Sequence, residues 1–239
     1  MHHIETIGAT ACGKSTILQE LEAQRTVNNN WVMDPAKHPN AGPWQEPIRP
    51  SDRSQYIQRN LEFVAFASRA LVSTIQNGDD EKYANIFNRS ARLNEVFAKL
   101  ENARQQMNNG ELLIVDEGLV QHARFLLNPK HTLETTKETL LKPQLAVAYI
   151  VVEADEETIM RRLQAREKKV ASFINLNESQ TRKITTERIE LIEENKRLIA
   201  DVNIPYISVD ATLDPAYNAQ RLLVFVEEIY KQIKPNKQD

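Results

Sequence analysis

Eight consecutive residues constrain this chain more than any others. Gly8-Ala9-Thr10-Ala11-Cys12-Gly13-Lys14-Ser15 has the spacing G-x-x-x-x-G-K-[ST], with Thr16 directly after it. The context fits: the segment 2–7 reads as a short strand before the loop, and a helix should run from Lys14 to about residue 25. Glycine is scarce, with 6 in the whole chain, and two of them sit in this loop. They allow a tight wrap, so the N–H groups from Gly8 to Gly13 turn inward as a cradle for phosphate oxygens, and the positive end of the helix adds to it. Lys14 supplies a point charge to the outer phosphates, and the Ser15 hydroxyl a ligand for Mg²⁺. ATP and Mg²⁺ are therefore the expected cofactors. Cys12, the one cysteine, reads as a small loop filler.

Continuous apolar runs at 112–115 and 147–152 have the look of strands buried on both faces. Residues 31–33 and 206–209 complete a set of about five. Helices are expected between and after them, at 156–166, 181–200 and 215–233. Strands alternating with helices predict a three-layer α/β fold, a parallel sheet with helices on both faces. The stretch 36–50 holds four prolines and reads as loop. Over 53–76, Ile57, Leu61, Val64, Leu71 and Ile75 recur at helical spacing. A second helix is predicted over 81–107, with Val96, Phe97 and Leu100 inward. No repeat or linker divides 1–239, so one domain is expected, with a helical substrate-side region over 53–110.

Asp116-Glu117 follows the third strand directly. An acid at the carboxyl end of a buried strand in this kind of sheet can hold the water shell of Mg²⁺, which makes Asp116 the metal-side candidate. Arg162 and Arg166 stand four apart on one predicted helix face. A polar stretch follows, with the lid placed at 167–180. Arginines brought over a transferring phosphoryl group stabilise its charge.

Composition narrows the partners. The formal net charge is −3, which leaves no general attraction for nucleic acid or an anionic membrane. No run approaches the roughly 20 apolar residues of a membrane span. One cysteine permits no internal disulfide, and a cytoplasmic location is expected. The oligomeric state stays open, a homodimer included.

Glu153-Ala154-Asp155-Glu156-Glu157 leading into Arg162-Leu163-Gln164-Ala165-Arg166 resembles the strand, acidic turn and lid-entry helix of P-loop nucleoside and nucleotide monophosphate kinases. Ile207-Ser208-Val209-Asp210-Ala211 resembles their last core strand and the loop near the adenine. The chain also resembles the deoxynucleoside kinases, whose second strand ends in an acidic residue and proline. Asp34-Pro35 stands there, and the resemblance implies that Asp34 is the base for the acceptor hydroxyl. Glu62 and Ser68-Arg69 match the spacing of that family's substrate helix, which implies substrate contacts for Glu62 and Arg69. The chain departs from the family at Asp116-Glu117-Gly118, where an acidic-Arg-Ser triplet is usual. Arg124, downstream, is the candidate replacement for the missing arginine.

The resulting expectation is a P-loop NTPase fold with a helical lid, acting as an ATP-dependent kinase on a nucleoside, nucleotide or other small acceptor. Lys14, Arg162 and Arg166 would stabilise the phosphoryl group, with Asp34 or Glu117 orienting the acceptor. Two other readings remain: an ATPase or switch in which Asp116-Glu117 serves hydrolysis, and a polynucleotide kinase, against which the acidic balance argues.

Overall fold

In a computed structural model of the chain, residues 2–26, 28–33, 50–61, 64–65, 83–106, 111–121, 146–166 and 173–234 are described. Five strands form one sheet: β1 (His2–Gly8), β2 (Trp31–Met33), β3 (Leu112–Asp116), β4 (Ala148–Glu153) and β5 (Tyr206–Asp210). Their order is β2-β3-β1-β4-β5, and the sheet is parallel. The strands with two neighbours are β3, β1 and β4, and all five residues of β3 are buried, as its unbroken apolar run requires. In contrast, β5 is an edge strand with both end residues exposed. Its register against β4 runs from Tyr149 opposite Tyr206 to Glu153 opposite Asp210.

Six helices of eight or more residues occur among the described residues: α1 (Lys14–Ala23), α2 (Pro50–Arg59), α3 (Tyr83–Gln106), α4 (Glu156–Gln164), α5 (Glu178–Asp201) and α6 (Pro215–Ile233). None of them is long and apolar enough to cross a membrane. Three begin on side-chain caps. The Asp155 carboxylate accepts from the Thr158 N–H at 2.7 Å. Asn177 and Gln180 form a reciprocal capping box. Asp214 accepts from the N–H groups of Ala216 and Tyr217, with Pro215 in the first turn.

By contacts, the chain forms two compact units. One comprises Met1–Glu5 with Val32–Val147, the other Thr6–Trp31 with Ala148–Asp239. In the first, α2 packs on α3, where Tyr56 stacks on Phe97 with ring centroids 4.6 Å apart. Val96, Phe97 and Leu100 are buried, as their spacing predicts. In the second, α1 packs on α6 and α4 on α5. Ile17, Leu18 and Leu21 of α1 and Leu222, Val226 and Ile229 of α6 are buried.

Several sequence-based bounds shift. The Asn177 cap starts α5 at Glu178, so the last residues of the stretch 167–180 are helical; 167–172 lie outside the described residues. Helix α4 stops at Gln164. The long helix predicted over 53–76 begins earlier, at Pro50, and is interrupted at Asn60. There the side-chain amide donates to the Tyr56 carbonyl, a local bond of the kind by which asparagine competes with helix. Leu61, expected inward, is 63% exposed. Most of 62–82 lies outside the described residues.

Candidate functional site

The phosphate loop lies wholly in the second unit, between β1 and α1. Two glycines shape it. A Cβ on Gly8 would stand 2.7 Å from the Val152 carbonyl oxygen, because the loop leaves β1 pressed against β4. Gly13 has φ 114°, and a Cβ there would stand 2.9 Å from Nη1 of Arg162. Ala11 also takes a left-handed conformation, at φ 65°. The motif is thus not a chance spacing on an ordinary turn: its glycines sit where side chains do not fit.

Lys14 is buried, and its ammonium group turns back onto the loop. Nζ donates to the carbonyls of Gly8 at 2.7 Å and Ala9 at 3.1 Å. Ser15 and Thr16 are exposed at the start of α1. Cys12 is 1% exposed and packs inside the loop, in agreement with a filler role.

Arg162 of α4 closes the loop from the side. It donates to the carbonyls of Cys12 and Ala211, joining the loop to the turn after β5. That turn is itself fixed. The Asp210 carboxylate accepts from the Thr212 N–H at 2.8 Å, and the Asn218 amide donates to the Asp210 carbonyl at 2.7 Å. Arg166 does not share the face of Arg162. The helix ends two residues earlier, and Arg166 is exposed beyond it.

Sequence reasoning missed a third arginine. Arg188, inside α5, donates to the Thr10 hydroxyl at 2.5 Å and lies 4.7 Å from the centre of the Phe173 ring. The partners are 178 positions apart, so no local pattern marks them. Nearby, Arg182 joins Glu156 and Glu157 at 2.6 Å each, tying α5 to the start of α4. The Thr186 hydroxyl and then the Arg182 guanidinium hold the Glu156 carboxyl below its ordinary range.

The acidic candidates belong to the first unit. Asp116 closes β3 and is 3% exposed. Glu117 follows at φ 58°, half-buried in a tight turn. The turn is clamped by Glu5, a residue sequence reasoning passed over. Glu5 is fully buried on β1, and its two carboxylate oxygens accept from the N–H groups of Leu119 at 2.7 Å and Val120 at 3.0 Å. His3 Nε2 lies 3.4 Å from the same carboxylate. A Cβ on Gly118 would collide with the Glu5 side chain, which would have to leave its place on the turn. The mixed polarity of His2-His3-Ile4-Glu5-Thr6-Ile7 gave no sign that Glu5 is buried. Burial, then the nearby Glu5 and Glu101 carboxylates, push the Tyr56 phenol well above its ordinary pKa. Asp34, Glu62, Arg69 and Arg124 lie outside the described residues.

No group of three or more His, Cys, Asp or Glu side chains able to hold a metal occurs among the described residues. Mg²⁺ in nucleotide sites needs no such cage. It keeps waters and takes one or two protein oxygens beside the phosphates. An exposed serine hydroxyl at the loop and an aspartate at a strand end are donors of that kind.

The sheet, the loop and the flanking helices together make this a P-loop kinase fold. The chain is similar to the structure of deoxyadenosine kinase from M. mycoides with bound dCTP at 13% identity and a TM-score of 0.53, covering 95% of this chain and 99% of that one. Against the same enzyme with bound dATP, the identity is 16% and the TM-score 0.53, over 94% of this chain and 99% of that one. At such identities the likeness is one of fold. Neither a protein-family model nor a curated protein matches the sequence.

Proposed function

We propose that the chain is an ATP- and Mg²⁺-dependent kinase that phosphorylates a small molecule, with a nucleoside or nucleotide as the first acceptor class to test. The observation that carries this reading is the loop itself. Its glycines sit where a Cβ would collide, and Lys14 Nζ rests on the Gly8 and Ala9 carbonyls beside the cradle. A cation held by neutral carbonyls can turn to a phosphate oxygen, which is the stronger, charge-assisted acceptor. The deoxyadenosine kinase likeness in fold points to the acceptor class.

In this reading the loop N–H groups and Lys14 hold the outer phosphates, and Mg²⁺, when bound, neutralises charge between them. Ser15 and Asp116 supply its protein-side oxygens. Arg162 fixes the loop against the turn after β5, and Arg166, free of the helix face, is a lid-side cation. Asp34 orients the acceptor hydroxyl and takes its proton, with Glu117 as the alternative base. Glu62, Arg69 and Arg124 are substrate-side contacts.

The roles of the two aspartates separate by experiment. Asp116→Asn is expected to raise the Mg²⁺ concentration needed for half-maximal turnover. Asp34→Asn is expected to leave that requirement unchanged and to lower kcat, by up to about 10²–10⁴-fold. A shifted Mg²⁺ requirement in Asp34→Asn would assign Asp34 to the metal and leave Glu117 as the base. The acceptor for the assay comes from thermal-shift screening of nucleosides, nucleotides and sugars with a non-hydrolysable ATP analogue.

A further inference from the structure

Large hydrophobic side chains exposed among the described residues are Leu61, Ile174, Tyr206, Leu213, Tyr217 and Val224, and four of these six fall between the start of β5 and the middle of α6. Scattered singly, such side chains need no explanation, but a cluster in one segment does. On α6 the exposed face is regular. Tyr217, Arg221, Val224, Glu228 and Lys231 recur at steps of four, three, four and three. That spacing draws one stripe along a helix, of the kind by which two helices pair. It is the outward stripe. Tyr217 is 52% and Val224 60% exposed, Glu228 and Lys231 are exposed and Arg221 is half-buried, while Leu222, Val226 and Ile229 fill the opposite side. Neither Glu228 nor Lys231 forms an ion pair among the described residues.

The neighbouring edge strand is closed to a partner that would extend the sheet. The Tyr149 N–H donates to the Pro205 carbonyl and the Ala211 N–H to the Glu153 carbonyl, so the odd positions of β5 face β4 and the even positions face outward. Two outward carbonyls are already taken by α6. Asn218 donates to that of Asp210 at 2.7 Å, and Arg221 to that of Ser208 at 3.3 Å. Recognition on this side is left to the helix.

We infer that the outward stripe of α6 docks against the same stripe of a second copy of this chain, antiparallel about a twofold axis at Val224. The charges select that occupant and that direction. Arg221 and Glu228 flank Val224 at three and four residues, and Tyr217 and Lys231 flank it at seven on either side. In an antiparallel pair Arg221 faces the partner's Glu228, and Glu228 faces the partner's Arg221, as a twofold interface requires. Tyr217 faces the partner's Lys231, a cation on an aromatic ring. In a parallel pair each charge would face its own like. Arg221 keeps N–H groups for a carboxylate beyond the one it gives to Ser208, because a guanidinium carries five. The stripe is about 21 Å long at the helical rise, a single helix pair at the weak end of specific interfaces. The inference does not depend on the kinase reading.

Sedimentation velocity of the full chain over a concentration series, at low and high salt, reads the association. A dimer is expected with a dissociation constant on the order of 10–100 μM, weakened by salt. Val224→Asp sets two carboxylates at the axis and is expected to raise that constant at least about tenfold. Glu228→Arg sets like charges at both symmetric contacts and should raise it about 3–30-fold, the range for two surface ion pairs. Mixed with Arg221→Glu, which carries the opposite reversal, the Glu228→Arg chain should associate again. If Val224→Asp folds poorly by circular dichroism, Glu228→Arg, at an exposed position, carries the test. A wild type that stays monomeric to about 1 mM overturns the inference. So does a dimer that both variants leave intact, which would place the interface on another face, and so does a mixture that fails to associate. A monomer that instead binds phosphatidylglycerol vesicles, and loses them in Val224→Asp, would give the stripe to a membrane and overturn it too.

Discussion

The two compact units place charge in opposite ways. In the unit of Thr6–Trp31 and Ala148–Asp239, the charged groups at the loop include cations that donate to uncharged oxygens. Lys14 lies on two loop carbonyls, Arg162 on the carbonyls of Cys12 and Ala211, and Arg188 on the Thr10 hydroxyl. In the other unit the deeply buried charges include two carboxylates facing strong donors. Glu5 takes two backbone N–H groups, and Glu101, 1% exposed, takes Arg59 at 2.7 Å and Arg104 at 2.9 Å. A cation on neutral oxygens has something to gain from an incoming phosphate. A buried carboxylate already met by internal donors has little to gain and much to lose when altered. The loop-bearing unit thus carries exchangeable charge, and the unit of Glu5 and Glu101 carries charge that holds its fold.

That contrast predicts different failures. Lys14→Ala is expected to lower turnover by at least about 10²-fold, the scale for losing one preorganised charge-stabilising group. Thermal unfolding without ligand should stay close to wild type. A variant that kept wild-type turnover, or that unfolded early, would break the contrast on the nucleotide side.

Glu5→Gln is the mirror experiment. Its amide nitrogen would face an N–H that the carboxylate now accepts. The loss should be roughly 1.5–3 kcal/mol in chemical denaturation, the range for hydrogen bonds to a charged group. Affinity for Mg-ADP should be little changed. Unaltered stability would show that the clamp at Leu119 and Val120 does not hold the turn.

The smallest effect concerns the cap of α4. The Thr158 N–H, then its hydroxyl, hold the Asp155 carboxyl below its ordinary value of 3.8. A depressed folded-state pKa means the cap stabilises fully above that ordinary value and loses its contribution as pH falls through the lowered one. Asp155→Ala should cost about 1 kcal/mol at neutral pH. The difference from wild type should shrink on acidification below pH of about 4. A difference constant down to the lowest pH would show that the cap does not depend on the charged form.

How much of this was legible in the sequence follows from the range of each interaction. The loop was readable because its chemistry is local: two glycines, a lysine and a serine at fixed offsets between a strand and a helix. The strands β3 and β4 were readable because burial on both faces leaves an unbroken apolar run. Helix α6 has its expected bounds because Asp214-Pro215 signals its start. Helix α5 begins three residues before the expected 181 because the Asn177–Gln180 capping box lies inside the polar stretch 167–180. The pairing of Arg162 with Arg166 failed because spacing of four means one face only while the helix continues. Arg188 was not legible at all, since its partner Thr10 is brought to it by the fold. Glu5 was no more legible, since it stands between Ile4 and Thr6 in a strand of mixed polarity and its N–H partners are more than a hundred positions away.

The most direct test of the central claim follows the terminal phosphoryl group of ATP. The protein is incubated with Mg²⁺, ATP labelled at the γ-phosphate and each acceptor found by thermal shift, alongside Lys14→Ala. The account predicts label in one small-molecule acceptor with the wild type, little in inorganic phosphate, and almost none in either with the variant. Label released only as inorganic phosphate, at a rate indifferent to every acceptor, would contradict it and make the chain a hydrolase.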